Sequence, residues 1–324
     1  LSSGWPNDRA VALNEDGANL LKQLFRAAND QSKAALVQLA VKWKSEALDP
    51  EKAEVSRILL VQVEEEGSAV EQRVSAAERL VALDPSNVEV LDRLATGVTP
   101  LAQPPLVVGL ISAISKSTAP EAAERLIEMT EGATPSIRDR AIQSLLSRPS
   151  MTKSLLSAIE AGDMSISDLT ALQRQTLGDH PNREIRDLAR KILASGGGNM
   201  NSDRQKLVDD KMHLTSTKGD VEAGKAIFTK NCATCHKYQG EGAVVGPDLT
   251  GMSVHPKAEL LTHILDPSRS VESNYRLYTV LTADGVVING LLAGESQTSI
   301  EMIDAQAKRH TILREDIEQL VASR

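Results

Sequence analysis

The sequence lacks both an excess of positive charge and any long apolar run. Its 324 residues carry 36 Lys and Arg against 44 Asp and Glu, a formal net charge of −8. This balance argues against a general nucleic-acid-binding protein, because phosphate contacts require a basic face. Nothing approaches the run of about 18 apolar residues that indicates a membrane span. The chain begins at Leu1 without a signal-peptide pattern, as expected of a processed or excised chain. Its length allows two or more domains.

Cysteine is also scarce, and both cysteines lie in Cys232-Ala233-Thr234-Cys235-His236. No second C-x-x-C or H-x-x-x-H pattern accompanies them, which argues against a structural zinc site with its full set of Cys and His ligands. A redox-active dithiol is expected at a strand-to-helix turn, whereas a helical pattern over residues 220–230 leads into this pair. A disulfide between the two would close a very small loop and add little stability.

The C-x-x-C-H run instead predicts covalent attachment of a c-type haem. Two thiols at this spacing can form thioether bonds to the vinyl groups of the macrocycle, while the adjacent imidazole reaches the iron. We therefore predict one covalently bound haem c, attached through Cys232 and Cys235. His236 is the predicted proximal ligand of the iron.

The helical pattern before the motif is amphipathic. Asp220 is a predicted N-cap, and Val221, Gly224, Ile227 and Phe228 fall on one face of the helix that follows. We expect that face to be buried.

These residues resemble the start of class I cytochromes c, and the Gly-Pro-Asp-Leu-Thr-Gly run at residues 246–251 extends the resemblance. It implies that the helix is the first helix of such a domain, where a glycine and an aromatic residue pack against a later helix. It also implies that Pro247 offers its backbone carbonyl to the proximal imidazole N–H, a contact that fixes the ring and tunes its basicity. Phe228 and Leu249 are further candidates for contact with the haem.

From Gly219 onward, about a third of the chain resembles the haem-binding domain of planctomycete and verrucomicrobial type, found in large multidomain predicted dehydrogenases. The matching residues are Gly219-Asp220, residues 232–236, Gly240-Glu241-Gly242, residues 245–251, residues 264–268, Tyr275 and Asp284-Gly285. In that family a methionine followed by proline, and then a closing helix, come after a strand-rich segment, and the sequence stops at Arg324 without either.

The strand-rich segment is visible in the residue pattern. Residues 276–282 and 286–292 are rich in β-branched and aliphatic residues, and Ala283-Asp284-Gly285 between them predicts a hairpin. Three further short runs follow at residues 299–303, 310–313 and 317–321. We predict a small antiparallel β-barrel or sheet of about five strands, packed against the haem domain.

The first part of the chain, residues 1–195, shows helical spacing of Ala, Leu, Glu and Arg. Predicted helix starts are Asp49-Pro50, Ser68 with Glu71 as a capping box, Asp84-Pro85, Ala119-Pro120, Thr134-Pro135 and Pro181-Asn182. Short helices with short connections predict antiparallel pairs stacked as an all-α, HEAT-like solenoid. This agrees with the resemblance, since HEAT-like repeats often precede such a haem domain. Phe25 and Trp43 are predicted packing residues, and no nucleophile–base pair or phosphate loop is present in this part.

The predicted organisation is therefore multidomain. A HEAT-like solenoid over residues 1–195 is followed by a linker over residues 196–218, with a glycine-rich joint at residues 196–199 and a short helix near residues 203–211. A class I cytochrome c-like domain over residues 219–270 comes next. The β segment over residues 271–324 is inserted in it or appended to it.

The leading functional hypothesis is electron transfer through the haem. The resemblance implies attachment outside the cytoplasmic membrane, hence a periplasmic or otherwise exported protein that serves as the C-terminal electron-accepting part of a larger dehydrogenase. Its partner would be a redox protein or an upstream dehydrogenase domain. Two alternatives stay open, a peroxidase-like haem enzyme with an open distal site and a HEAT-type scaffold with an auxiliary haem domain. Candidates for the distal ligand are Met252, His255, His263, Met302 or a residue after Arg324.

Overall fold

The computed structural model describes residues 10–194, 202–267 and 275–322. The predicted joint at residues 196–199 and the end of the 264–268 run lie outside the described residues. The chain divides into two compact units, Leu1–Glu128 and Met129–Arg324. Within the described ranges, no helix is both long and apolar enough to cross a membrane.

The first unit is helical. Its α-helices are α1 (Glu15–Ala27), α2 (Asp30–Trp43), α3 (Lys52–Glu64), α4 (Val70–Leu83), α5 (Val88–Thr96), α6 (Pro104–Ser115) and α7 (Glu121–Glu128). Asparagine side chains cap α1 and α2, since Asn14 accepts from the Gly17 amide and Asn29 from the Ser32 amide, both at 2.9 Å. Phe25 is buried as predicted, with 3% of its surface exposed.

Two predicted helix starts in this unit need correction. Ser68 does not form a capping box, because its hydroxyl donates to Glu65 at 2.8 Å and α4 begins only after Ala69, which makes no side-chain cap. Asp84 accepts from the Ser86 amide and hydroxyl, which closes a turn, and α5 starts at Val88 behind the cap residue Asn87. In both places a short-range side-chain bond holds the backbone in a turn before the helix.

The second unit contains seven further α-helices within the described ranges. They are α8 (Pro135–Leu145), α9 (Pro149–Ala161), α10 (Ala171–Gly178), α11 (Arg183–Ala194), α12 (Ser202–Lys211), α13 (Val221–Asn231) and α14 (Lys257–Leu265). The predicted starts at Pro135 and after Asn182 are confirmed, as is the short helix predicted near residues 203–211. The predicted helix before the cysteines is α13.

A sheet of five antiparallel strands follows, β1 (Leu277–Thr282), β2 (Val287–Glu295), β3 (Ser299–Ile303), β4 (Arg309–Leu313) and β5 (Ile317–Ala322). The β1–β2 hairpin is confirmed, with Gly285 at a φ of 83° in its turn. The strand order is β4-β3-β2-β1-β5. Because β4 and β5 lie at opposite edges, the sheet is open, and a barrel is excluded. Its buried face carries Tyr278, Val280, Leu292, Ile300, Met302, Ile312, Ile317 and Leu320.

Three described polar contacts join the sheet to residues that precede the cysteine motif. The Tyr278 hydroxyl donates to the Ala133 carbonyl at 2.8 Å, Arg276 forms an ion pair with Asp168, and Glu295 accepts from the Ser136 amide at 3.3 Å. These contacts join the sheet to helical residues of the second unit, and the packing against the haem domain stays a prediction. The buried Tyr278 hydroxyl finds its hydrogen-bond partner there, as buried polar groups in native proteins do.

Candidate functional site

The C-x-x-C-H motif lies directly after the last turn of α13. Asp220 starts this helix as predicted, since its carboxylate accepts from the Glu222 and Ala223 amides at 3.0 and 3.1 Å. At the other end the Cys232 amide donates to the Phe228 carbonyl at 2.7 Å. The motif itself forms a turn, which is closed by the bond from the His236 amide to the Cys232 carbonyl at 2.8 Å. The motif is therefore held by backbone bonds to a capped helix.

Both thiols are chemically available. Cys232 and Cys235 are not joined in a disulfide, Cys232 is half-buried and Cys235 is exposed. Within the parts of the chain that the structure describes, no three His, Cys, Asp or Glu side chains gather as a metal site. Two thiols at this spacing beside the imidazole of His236 are the residue types that covalent attachment of a haem requires.

The imidazole of His236 is fixed by one hydrogen bond. Its Nδ1 lies 3.0 Å from the backbone carbonyl oxygen of Pro247. A carbonyl can only accept, so Nδ1 carries the proton and Nε2 keeps its lone pair. This is the arrangement found at metal-bound histidines, where the other ring N–H is donated to a carbonyl or carboxylate. The contact that the resemblance implied for Pro247 is present in the structure.

Two glycines make this arrangement possible. A Cβ on Gly246 would lie 2.6 Å from Cε1 and 2.8 Å from Nδ1 of the His236 ring, so the loop can approach the ring closely only because the side chain is absent. Gly242 has a φ of 102°, and a Cβ there would lie 2.1 Å from the His236 carbonyl oxygen. Both glycines belong to the site, although the sequence indicated them only as part of the family resemblance. Their positions just before Pro247 and at a turn were the available signals.

The loop that carries Pro247 is bonded back to the motif along its length. The Ala243 amide donates to the Ala233 carbonyl at 2.9 Å, and the Gly246 amide donates to the Cys235 carbonyl at 2.7 Å. Further along, the Leu249 amide donates to the Lys237 carbonyl at 2.8 Å. These bonds bring the Pro247 carbonyl to the imidazole.

A second small network closes the far end of the loop. Asp248 accepts from the Thr250 amide at 2.9 Å and from its hydroxyl at 2.5 Å, while the Thr250 hydroxyl oxygen accepts from the Gln239 amide at 2.9 Å. The Thr250 side-chain bond, supported by its backbone amide, holds the pKa of the Asp248 carboxyl below its usual value, and the charge of Lys237 acts in the same direction. Asp248 is thereby kept as the carboxylate that this turn requires.

The face of α13 that was predicted to be buried is exposed. Val221 is 82% exposed and Ile227 is 62% exposed, while Gly224 is also exposed. Phe228 is half-buried and packs edge-to-face against Tyr238, with ring centroids 5.7 Å apart. The prediction of burial is wrong for this structure, because no described helix or strand packs closely across that face.

Exposed apolar side chains are common throughout this part of the chain. Val244, Val254 and Ile264 are each more than 60% exposed. From residue 212 to residue 265, all of which the structure describes, no side chain is fully buried. An amphipathic surface is present here without a core built from the chain's own side chains.

The structure separates the four candidates for a distal iron ligand within the chain. Met302 is fully buried in the core of the sheet and is thereby removed from the set. Met252 lies half-buried on a 3-10 helix, Met252–Val254. His255 follows it, with Nδ1 3.1 Å from the Glu259 carboxylate. His263 lies half-buried on α14.

Comparison with known proteins finds a family match over the region that contains the C-x-x-C-H motif. The cytochrome c family model matches residues 221–273. A cytochrome c-553-like protein from Synechocystis sp. is 44% identical over 50 residues, which cover 15% of this chain and 47% of that protein. The chain thus spans about half the length of this curated relative. Residues 221–273 are a cytochrome c domain of the class I, c-type haem kind, and such a domain supports haem-based electron transfer.

Proposed function

We propose that the protein transfers electrons through one haem c, bound covalently by Cys232 and Cys235, with Nε2 of His236 as the proximal iron ligand. The observation that carries this proposal is the 3.0 Å contact between Nδ1 of His236 and the Pro247 carbonyl, next to two unpaired thiols. When bound, the haem supplies a one-electron ferric–ferrous couple.

The chain's own residues orient the imidazole and tune it. The Pro247 carbonyl accepts a hydrogen bond from the Nδ1–H group and so increases the basicity of Nε2, which strengthens the ligand. Gly246 lies so close to the ring that a Cβ there would come 2.6 Å from Cε1. Phe228, in contact with Tyr238, and Leu249, bonded through its amide to Lys237, are the further residues that we assign to haem contact.

The exposed apolar side chains of residues 212–265 also support the binding of a haem. Val221, Ile227, Val254 and Ile264 are between 62% and 83% exposed. Single exposed apolar residues are ordinary on a protein surface. Here, however, they occur in a stretch without a buried side chain, so a large apolar macrocycle supplies the surface against which such residues can be buried.

We also propose that the helices before this domain form a HEAT-like solenoid. Ion pairs within the second unit join α9 to α11 at a constant separation of 31 residues, through Lys153 with Glu184 and Glu160 with Lys191. Comparable separations of 29 and 33 residues occur in the first unit, between Glu64 and Arg93 and between Asp92 and Arg125. Exposed pairs of this kind add little stability, but their similar spacing supports a repeated arrangement of stacked helix pairs.

The wider role that we propose is that of an exported electron acceptor in a dehydrogenase system. This proposal rests on the resemblance to haem-binding domains of large predicted dehydrogenases and on the c-type attachment motif. The partner is a redox protein or a dehydrogenase domain.

The test is expression together with a c-type haem attachment system, followed by acid-acetone extraction and a pyridine haemochrome spectrum. The proposal predicts one haem per chain that stays with the polypeptide, and its loss in C232S/C235S. His236→Gln is expected to keep the covalent pigment but change the spectrum of the ligated iron. His213→Gln is the matched control, because His213 also has its Nδ1 3.0 Å from a backbone carbonyl, that of Asp210, but lies outside the motif. Pigment that extracts freely from the wild-type chain would refute the proposal.

A further inference from the structure

We infer that the sheet and the helices of residues 129–194 form one folding unit, and that residues 202–267 are inserted into it as a separate module. This module, which contains the cytochrome c attachment motif, is called the attachment segment below. The sheet follows the attachment segment in sequence, but the contacts of Tyr278, Arg276 and Glu295 join it to residues that precede that segment. This inference stands independently of whether haem is bound.

The central contact joins β1 to α8. Tyr278 and Arg138 are each 1% exposed. The Tyr278 hydroxyl donates to the Ala133 carbonyl at 2.8 Å and accepts from Nη2 of Arg138 at 3.4 Å. Arg138 Nη2 donates in addition to the Ala133 carbonyl, at 2.8 Å. A buried tyrosine and a buried arginine therefore share one carbonyl acceptor. Because unpaired buried polar groups are costly, each stabilises the position of the other.

Two charged side chains also connect the sheet to the helices of residues 129–194, at points other than the Tyr278–Arg138 contact. Arg276, just before β1, pairs with Asp168, whose carboxylate also accepts from the Ser165 amide at 3.0 Å. Glu295, at the end of β2, accepts from the Ser136 amide in the first turn of α8 and pairs with Arg314. The Glu295 carboxylate thus lies where the positive end of a helix favours an anion.

The attachment segment, in contrast, closes on itself. Helix α12, at its start, packs against α14, near its end. Nη1 of Arg204 donates to the Leu265 carbonyl at 3.2 Å, which brings the two ends of the segment together. A segment whose ends are adjacent can be inserted into another domain without disturbing it.

The consequence is that the sheet keeps its fold whether or not the attachment segment is loaded with haem. The sheet and the helices of residues 129–194, called the platform below, keep the same fold with and without haem. The attachment segment is joined to these helices and to the sheet, and of these parts it alone depends on the cofactor for its order.

The test is hydrogen–deuterium exchange of the full haem-loaded chain carrying Tyr278→Phe, which removes one hydroxyl from the interface. Exchange is expected to become about tenfold faster in α8 and in β1 and β2 together, with the haem spectrum and reduction potential unchanged. Thr279→Val is the matched control. It removes the neighbouring hydroxyl on the other face of β1, which donates to Asn289 at 2.6 Å, and should leave α8 unaffected.

The inference is overturned if Tyr278→Phe accelerates exchange in α13 and α14 rather than in α8, or if it shifts the haem potential while α8 stays protected. Either result would make the sheet a part of the cytochrome domain. If the wild-type chain failed to bind haem covalently, the proposed function would fail, but joint loosening of α8 and β1 would still support the platform.

Discussion

Two segments of similar length in the second unit differ sharply in how they are held together. Residues 275–322 form a sheet with a cluster of buried side chains that includes Ile300, 1% exposed, and Met302, fully buried. Residues 212–265 contain no fully buried side chain, yet their loop is closely bonded along its backbone around His236. The first segment is stabilised by apolar burial, and the second mainly by backbone hydrogen bonds and a few side-chain bonds such as those of His236 and Asp248. In our proposal the haem supplies the missing apolar core.

The largest expected effect compares two isoleucines. Ile300→Ala should lower the free energy of unfolding by about 2–5 kcal/mol, because the deletion leaves a cavity in the sheet core. Ile227→Ala, at a residue 62% exposed, should cost under about 0.5 kcal/mol in the haem-free chain. Chemical denaturation measures both. Equal losses in the two variants would show that the haem-free segment has a core of its own.

Gly246→Ala is expected to act only on the cytochrome domain. Because its Cβ would lie 2.6 Å from the His236 ring, the ring or the loop must shift, at a cost of about 1–3 kcal/mol. The absorption spectrum of the haem should change, while unfolding of the sheet should not. Gly251→Ala is the control, since a Cβ there meets nothing within 4 Å. A normal spectrum for Gly246→Ala would contradict the assigned role of the Pro247 loop.

The Tyr278 contact predicts a pH dependence confined to the sheet and α8. Desolvation by burial raises the pKa of the Tyr278 phenol above its usual 10.0. Folding then favours the protonated phenol, so this contribution to stability is complete below pH 10 and is lost as the pH rises through the folded-state pKa. Tyr278→Phe should unfold with a weaker alkaline dependence than the wild type. An unchanged slope of stability against pH above 10 in that variant would contradict this assignment.

The smallest effect is expected at Thr250. Thr250→Val removes the hydroxyl that donates to Asp248 and accepts from the Gln239 amide, at a cost of about 1 kcal/mol. Amide exchange should become faster at residues 239–250. Thr262→Val, which removes an exposed hydroxyl bonded only to the Ala258 carbonyl within its own helix, is the control. Faster exchange in the sheet for Thr250→Val would argue against two independent segments.

Local features of the structure were predictable from the sequence, and long-range ones were not. The cap at Asp220, helices α12 and α13, and the β1–β2 hairpin depend on neighbouring residues, so residue patterns were sufficient. The Tyr278 contact joins residues 145 positions apart, and no local pattern reports it. The open edges of the sheet likewise depend on which distant strands pair.

In the candidate site, too, local features were predictable from the sequence and features that depend on distant residues were not. The spacing of Cys232, Cys235 and His236 predicts thioether and iron bonds, because those bonds need those residue types at those positions, and this assignment stays a prediction. The close approach of Gly246 to the His236 ring could not be predicted, since it arises from the path of the return loop. The apolar face of α13 was correctly recognised as apolar, but its burial was predicted wrongly, because periodicity does not say what covers a face.

The most direct test of this account compares hydrogen–deuterium exchange in the chain expressed with and without a haem attachment system. The account predicts that residues 212–265 exchange rapidly in the haem-free chain and are strongly protected in the haem-loaded chain. Residues 275–322 should be equally protected in both. Equal protection of residues 212–265 with and without haem would contradict the claim that the cofactor provides the core of this domain.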